Sequence, residues 1–156
     1  MRERALSANG PLRAGIYAGL AGAVLIDAYL IVTVVVLTHA ATLEAFYRYV
    51  ASAALGKAAY TLPQAVAIGI ALHVLISVAW SLGYAYLAAQ TPQMLARPLI
   101  SGVAFGIFVM ISMQLGEVLT NIYALPNSYT LLNAFIAHVF FFGIPVAYIV
   151  TRFETA

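Results

Sequence analysis

Three ionisable side chains stand inside apolar stretches of this chain: Asp27, His73 and His138. An ionisable group in hydrocarbon is costly, so each marks a candidate functional site. Two imidazoles on non-adjacent spans suit axial ligation of a b-type haem, because each face of the iron takes one nitrogen. An aspartate near histidines also suits proton or ion transfer, since such chains form the relays of pumps and transporters. The same trio has ligand types acceptable to zinc or non-haem iron. A structural layer is the remaining outcome. The imidazoles and Asp27 would then satisfy one another and nearby serines, at a typical ~0.6 kcal/mol per interhelical hydrogen bond.

Spacing places these groups at one depth. At ~1.5 Å per residue, Asp27 and Gln114 each lie about 24 Å along the helix from Pro11 and Pro98. His73 and His138 lie roughly 21–25 Å from the same side, measured from Gln90 and Arg152. The expected layer pairs Asp27 with His73 and Gln114 with His138. Gly69, His73, Ser77 and Ser81 recur every four residues, which adds a mildly polar stripe. Pro145 follows His138 by one heptad and should kink that span, because it frees a carbonyl near Phe141. Asn133 precedes His138 on the outer side. Against haem, no Arg or Lys stands where propionates would end, and Asp27 adds a negative charge. Against an ion path, the layer holds one carboxylate, and four helices leave little room for water unless the protein oligomerises.

The elements that carry this layer follow from composition. Hydrophobic residues make up 64% of the 156 residues and charged residues 8%, against about 25% charged in a soluble domain. Four apolar runs, roughly 13–38, 65–88, 98–120 and 129–151, each supply the ~20 residues a transmembrane helix needs. Helices satisfy every backbone polar group without water, and the alternating ten-residue segments of a barrel are absent. The sequence therefore predicts an all-α integral membrane protein, a four-helix bundle forming one domain over residues 1–156. The start Met1-Arg2-Glu3-Arg4 has the charge of a signal peptide, but the apolar run after it is too long for one and reads as a retained span.

Arginine and lysine set the orientation. Arg2, Arg4, Arg13, Arg97 and Arg152 fall on the side shared by both termini, and Arg48 and Lys57 fall on the other. Both termini are therefore expected in the cytoplasm, with a bacterial or archaeal inner membrane as the setting. In the first outer loop, Thr42 can cap a helix over 42–56 whose Leu43, Phe46, Tyr47 and Val50 share one face. Glu44, Arg48 and Ser52 lie mostly away from that face, and Gly56 is a plausible stop. This pattern predicts an amphipathic helix lying in the outer interface. Tyr47, Tyr49, Tyr60, Tyr123 and Tyr129 outside, with Tyr84, Tyr86 and Tyr148 inside, read as aromatic belts.

The chain also contains an internal match. Residues 11–20 align with 98–107, sharing Pro, Leu and both glycines, and His73-Val74 aligns with His138-Val139. This suggests two tandem helix hairpins in a parallel, pseudo-symmetric arrangement about the membrane normal. Gly15 with Gly19, and Gly102 with Gly106, form small-residue stripes that let backbones approach closely. Packing of spans one and three near the pseudo-axis is the expected use. Trp80 reads as a lipid-facing or packing residue, Glu117 as an outer-end carboxylate and His39 as interfacial.

The absence of cysteine excludes disulfides, thiolate metal sites and cysteine nucleophiles. The small net charge of +2, spread over helix ends, gives no sign of nucleic acid binding. No Walker loop, HExxH helix or Gly-x-Ser-x-Gly elbow is present, and no soluble portion could hold a substrate, so catalysis by this chain alone is not expected. The leading expectation is a non-catalytic membrane subunit with a haem-capable histidine layer, in contact with lipid and with copies of itself or a larger membrane partner. The alternative is a small oligomeric transporter or proton-conducting protein that uses Asp27, His73 and His138.

Overall fold

The computed structural model describes residues 10–119 and 128–155. Arg2, Arg4, residues 120–127 with Tyr123, and the side chain of Tyr129 lie outside the described residues. Regular structure among the described residues is entirely helical. Helix α1 (Gly10–Leu30) continues through a π-helical stretch, Ile31–Leu37. Helix α2 (Leu43–Leu55) leads through a 3-10 turn, Gly56–Tyr60, into α3 (Ala65–Gln90). A short α4 (Pro92–Ala96) connects to α5 (Pro98–Leu119). The last span comprises α6 (Ser128–His138), a π-helical stretch Val139–Gly143 and α7 (Ile144–Thr155).

Four helices are long and apolar enough to cross a membrane: Gly10–Leu37, Ala65–Gln90, Pro98–Glu117 and Thr130–Thr155. Large apolar side chains face outward and small residues fill the centre. Val24, Leu75 and Ile100 each expose more than three-fifths of their surface, whereas the centre is lined by Ala14, Ala18, Ala85, Ala88, Ala137 and Ala147. Small residues at the centre allow close van der Waals packing between helices.

The glycine stripes show where that packing is closest. A methyl group on Gly15 would lie 2.8 Å from the Leu82 Cα, and one on Gly19 would meet the Val78 Cα, both on α3. Gly102 faces the Ile144 Cα at the same 2.8 Å, and Gly106 faces the backbone of His138 and Val139. The stripes of spans one and three therefore receive spans two and four, in place of the mutual contact expected from sequence. Each recess admits the backbone of the neighbouring span, and Gly143 on the last span meets Gly102 and Gly106 in return. Gly22 serves a third contact, against the Phe142 ring and Val146.

Pro145 has no N–H to offer the carbonyl four residues back. The helix widens to π geometry at Val139–Gly143 just before it, the kind of local adjustment that accommodates a lost helical bond. In the connection between the first two spans, Thr42 Oγ1 accepts from the Ala45 N–H at 3.1 Å, and α2 ends at Gly56 with a φ of 55°. Arg48 pairs with Glu44 at 2.8 Å and donates to the carbonyls of Ala59 and Leu62. That fork fastens α2 to the turn that follows it.

Helix α2 does not lie free in the interface. It docks along α3, where Gly69 lets the Tyr47 backbone approach more closely than any side chain would permit. Tyr47, Ala51 and Ser52 are buried as a result. Ser52, expected on the polar face, turns inward and satisfies its hydroxyl on the Tyr49 carbonyl at 2.6 Å.

Two glycine substitutions should move stability in opposite directions. Gly106→Val inserts a branched side chain against the backbone of the last span, and overpacking of this kind costs about 1–3 kcal/mol. A Cβ on Gly83 meets nothing within 4 Å, so Gly83→Ala should gain about 0.5–1 kcal/mol from helix propensity. Thermal unfolding in detergent, followed by circular dichroism, measures both.

Candidate functional site

A carboxylate in mid-bundle needs partners, and Asp27 draws them from two later elements. On α3, His73 Nδ1 lies 2.8 Å from Asp27 Oδ1. Its angles depart from those of a straight hydrogen bond, so the contact is a close ion-pair geometry. From α2, the Tyr47 hydroxyl donates to Asp27 Oδ2 at 3.1 Å. Both oxygens of the carboxylate are thereby engaged. Asp27 and His73 keep side-chain exposures of 18% and 16%, while the facing atoms Oδ1 and Nδ1 are buried.

One proton must sit between Nδ1 and Oδ1. A bare nitrogen lone pair facing a carboxylate at 2.8 Å would be repelled, so the proton resides on one atom or the other. When Nδ1 holds it, Nε2 of His73 carries the free lone pair. The tautomer of His138 is fixed in a similar way. Its Nδ1 lies 2.8 Å from the Ala134 carbonyl oxygen, which can only accept, so Nδ1 donates and Nε2 is free. Each ring can thus hold its proton on Nδ1 and present Nε2 to another partner.

The second pairing expected from sequence does not form. Gln114 Nε2 donates to Glu117 Oε2 at 3.1 Å, one turn along its own helix, while His138 turns to the backbone of α6. The nearer partner wins in each case, because a local contact on the same helix orders fewer groups than one across the bundle. Asn133 has a distinct role. Its Oδ1 accepts from the Tyr29 hydroxyl at 2.8 Å, joining span one to span four, and the Tyr29 ring stacks on Phe141 with centroids 4.4 Å apart.

Along α3 the polar stripe continues inward. Ser77 and Ser81 are 4% and 0% exposed, and the Ser81 hydroxyl has no hydrogen-bond partner. One turn further, the Tyr84 hydroxyl lies 2.8 Å from Ser101 Oγ on α5. Ser101 in turn reaches the carbonyls of Met94 at 3.0 Å and Arg97 at 3.1 Å, in the inner connection. Among the described residues, no three His, Asp or Glu side chains converge as a metal-ligand set. Asp27 stands behind His73 on its Nδ1 side, which is the place of a supporting carboxylate and not of a third ligand.

Tyr47 is the residue that sequence reasoning missed. Assigned to the outer aromatic belt, it is instead 8% exposed and bonded to Asp27. Two signals pointed inward: its place on the apolar face of α2, and a glycine at position 69 one turn before His73. Burial, and after it the negative charge and hydrogen bond of Asp27, push the Tyr47 phenol up to about 12.

A pKa raised on folding stabilises the fold below the unfolded value and is lost as pH climbs through the folded value. The Tyr47 contribution should hold constant up to pH ~10, the usual tyrosine value, and fade as pH approaches 12. Tyr47→Phe should cost about 1 kcal/mol at pH 7 and show a shallower alkaline loss than the parent. Chemical denaturation between pH 7 and 12 measures the difference. No protein-family model, curated protein or solved structure matches this chain, so the chemistry of the centre is read from its own geometry.

Proposed function

We propose that this chain is an integral membrane protein that moves protons between the two faces of the bilayer, working as an oligomer or beside a larger membrane partner. The observation that carries the reading is the contiguous series Tyr47–Asp27–His73, which runs from the outer helix into the bundle. His138, on the last span, is the next ionisable side chain in this reading. Ser77, Ser81, Tyr84 and Ser101 extend the polar line toward the inner connection. Successive groups on α3 stand one turn apart, a rise of about 6 Å, which a single bridging water spans. In this reading both termini face the cytoplasm, and the tandem hairpins bring one histidine each to the centre.

The proton's position between Asp27 and His73 is the working step. Arrival of a second proton, on Nε2, leaves the carboxylate beside an imidazolium. Release from Nε2 toward His138 restores the starting state. Each movement transfers one proton between named atoms and needs no oxidant or cofactor.

In liposomes under a potassium-diffusion potential, the parent should acidify an internal pH dye. Asp27→Asn and His73→Ala should each lower that rate by at least about tenfold, which corresponds to some 1.4 kcal/mol of barrier. His138→Gln should give a smaller loss. Rates equal to those of protein-free liposomes, for parent and variants alike, would remove the proton reading.

A second reading rests on a specific feature of the same centre. Both histidines have Nδ1 occupied and Nε2 open, and a ring fixed through one nitrogen is prepared to ligate through the other. Bis-imidazole haem would be held by His73 and His138, making the chain an electron-transfer subunit. Expression with added haem should then give sharp α and β bands on reduction. His73→Ala or His138→Ala should abolish the low-spin spectrum, because one axial position is left open. A colourless preparation rejects this reading and leaves the flux assay unaffected.

A further inference from the structure

A separate cavity of about 440 Å³ opens between α3 and α5, near their inner ends. We propose that it binds a membrane lipophile with a flat ring system and a hydroxyl donor, a class that includes phenolic and reduced-quinone lipids. Its volume is that of small-ligand pockets, which run from about 300 to 1,000 Å³.

Three observations define the ligand. The walls are aromatic: Trp80 meets Phe108 edge-on with centroids 5.6 Å apart, and Tyr84 meets Phe105 at 4.7 Å. Both pairs border the cavity, so a flat ring can lie against their faces. The space between the walls is kept open by the smallest residues. Gly83 and Ala104 both line it, and a Cβ on Gly83 would touch nothing within 4 Å. Glycine costs helix stability relative to alanine, and no neighbouring backbone here requires it. Gly15, Gly19, Gly102 and Gly106, by contrast, each meet another helix. The room at Gly83 is therefore room for something outside this chain.

The polar edge of the cavity sets the third requirement. Ser101 has one hydroxyl hydrogen and carbonyl neighbours that can only accept it, Met94 and Arg97. With the Ser101 hydrogen given to one of these carbonyls, Tyr84 donates in its 2.8 Å contact with Ser101. With its hydrogen spent, the Tyr84 oxygen offers a lone pair and no donor. A ring lipophile with a hydroxyl completes that acceptor, whereas an ether or an acyl chain leaves it unmet. Tyr84 and Ser101 also stand on the far part of the proposed proton line, but ligand binding here does not require proton movement at Asp27.

Trp80 is the single tryptophan of the chain, so 5-fluorotryptophan gives one fluorine resonance from the cavity wall. The parent, in nanodiscs, is titrated with 1-hydroxypyrene and with 1-methoxypyrene. The expected result is a saturable shift, with half-saturation for the hydroxyl probe about tenfold lower than for its ether, the worth of one good hydrogen bond. Gly83→Leu should abolish saturation by filling the cavity, and Ala104→Leu fills it from the other wall should the first variant fail to fold. Asp27→Asn should leave binding unchanged. Equal affinities for the two probes would overturn the ligand class. A linear shift without saturation, or a folded Gly83→Leu variant that follows the parent curve, would overturn the site.

Discussion

A carboxylate set among apolar helices dictates much of this architecture. Unpaired, it would cost several kcal/mol after relaxation of its surroundings. Asp27 is accommodated because His73 and Tyr47 arrive from two further elements and occupy one oxygen each. That demand turns His73 of α3 and Tyr47 of α2 toward Asp27 of α1. It also explains why α2 is fastened so thoroughly. Thr42 caps its start, Arg48 ties its flank to the Ala59 and Leu62 carbonyls, and Gly69 removes the side chain that would hold it away.

The bundle is tight on some seams and loose on another, and the two qualities have different causes. Where α1 meets α3, and α5 meets the last span, glycines bring backbone to backbone and leave no room for a ligand. Between α3 and α5 the contact is carried by Trp80, Tyr84, Phe105 and Phe108. Rings reach further than methyl groups, so these helices touch through their side chains and enclose space. A closed polar centre and an open aromatic side thus coexist in four spans.

Much of the fold was legible because lipid imposes simple rules. Span number, the cap at Thr42, the stop at Gly56 and the disturbance before Pro145 all follow from hydropathy or from local backbone chemistry. Depth was legible too, since helical rise is constant, and it set Asp27 beside His73 along the membrane normal. Azimuth was not. Rise says nothing of which way a side chain turns, so Gln114 and His138 share a depth and yet bond within their own helices. Tyr47 escaped for a related reason. A tyrosine in an outer helix fits the interface by composition, and its inward turn is set by the docking of α2 on α3, a contact between elements that periodicity within one element does not encode.

The chain order of the Asp27 partners bears on how the protein enters its membrane. Tyr47 follows Asp27 by 20 residues, and His73 comes only with the second span. When the first span emerges during synthesis, its carboxylate has neither companion. Insertion scales charge about 2.5–3.5 kcal/mol for an aspartate at mid-membrane. For a chain that crosses a bilayer, spans one and two therefore gain by entering as a pair, with α2 folding onto them last. The Asp27–His73 contact would commit the nascent hairpin, and the Tyr47 hydrogen bond would close the centre afterwards.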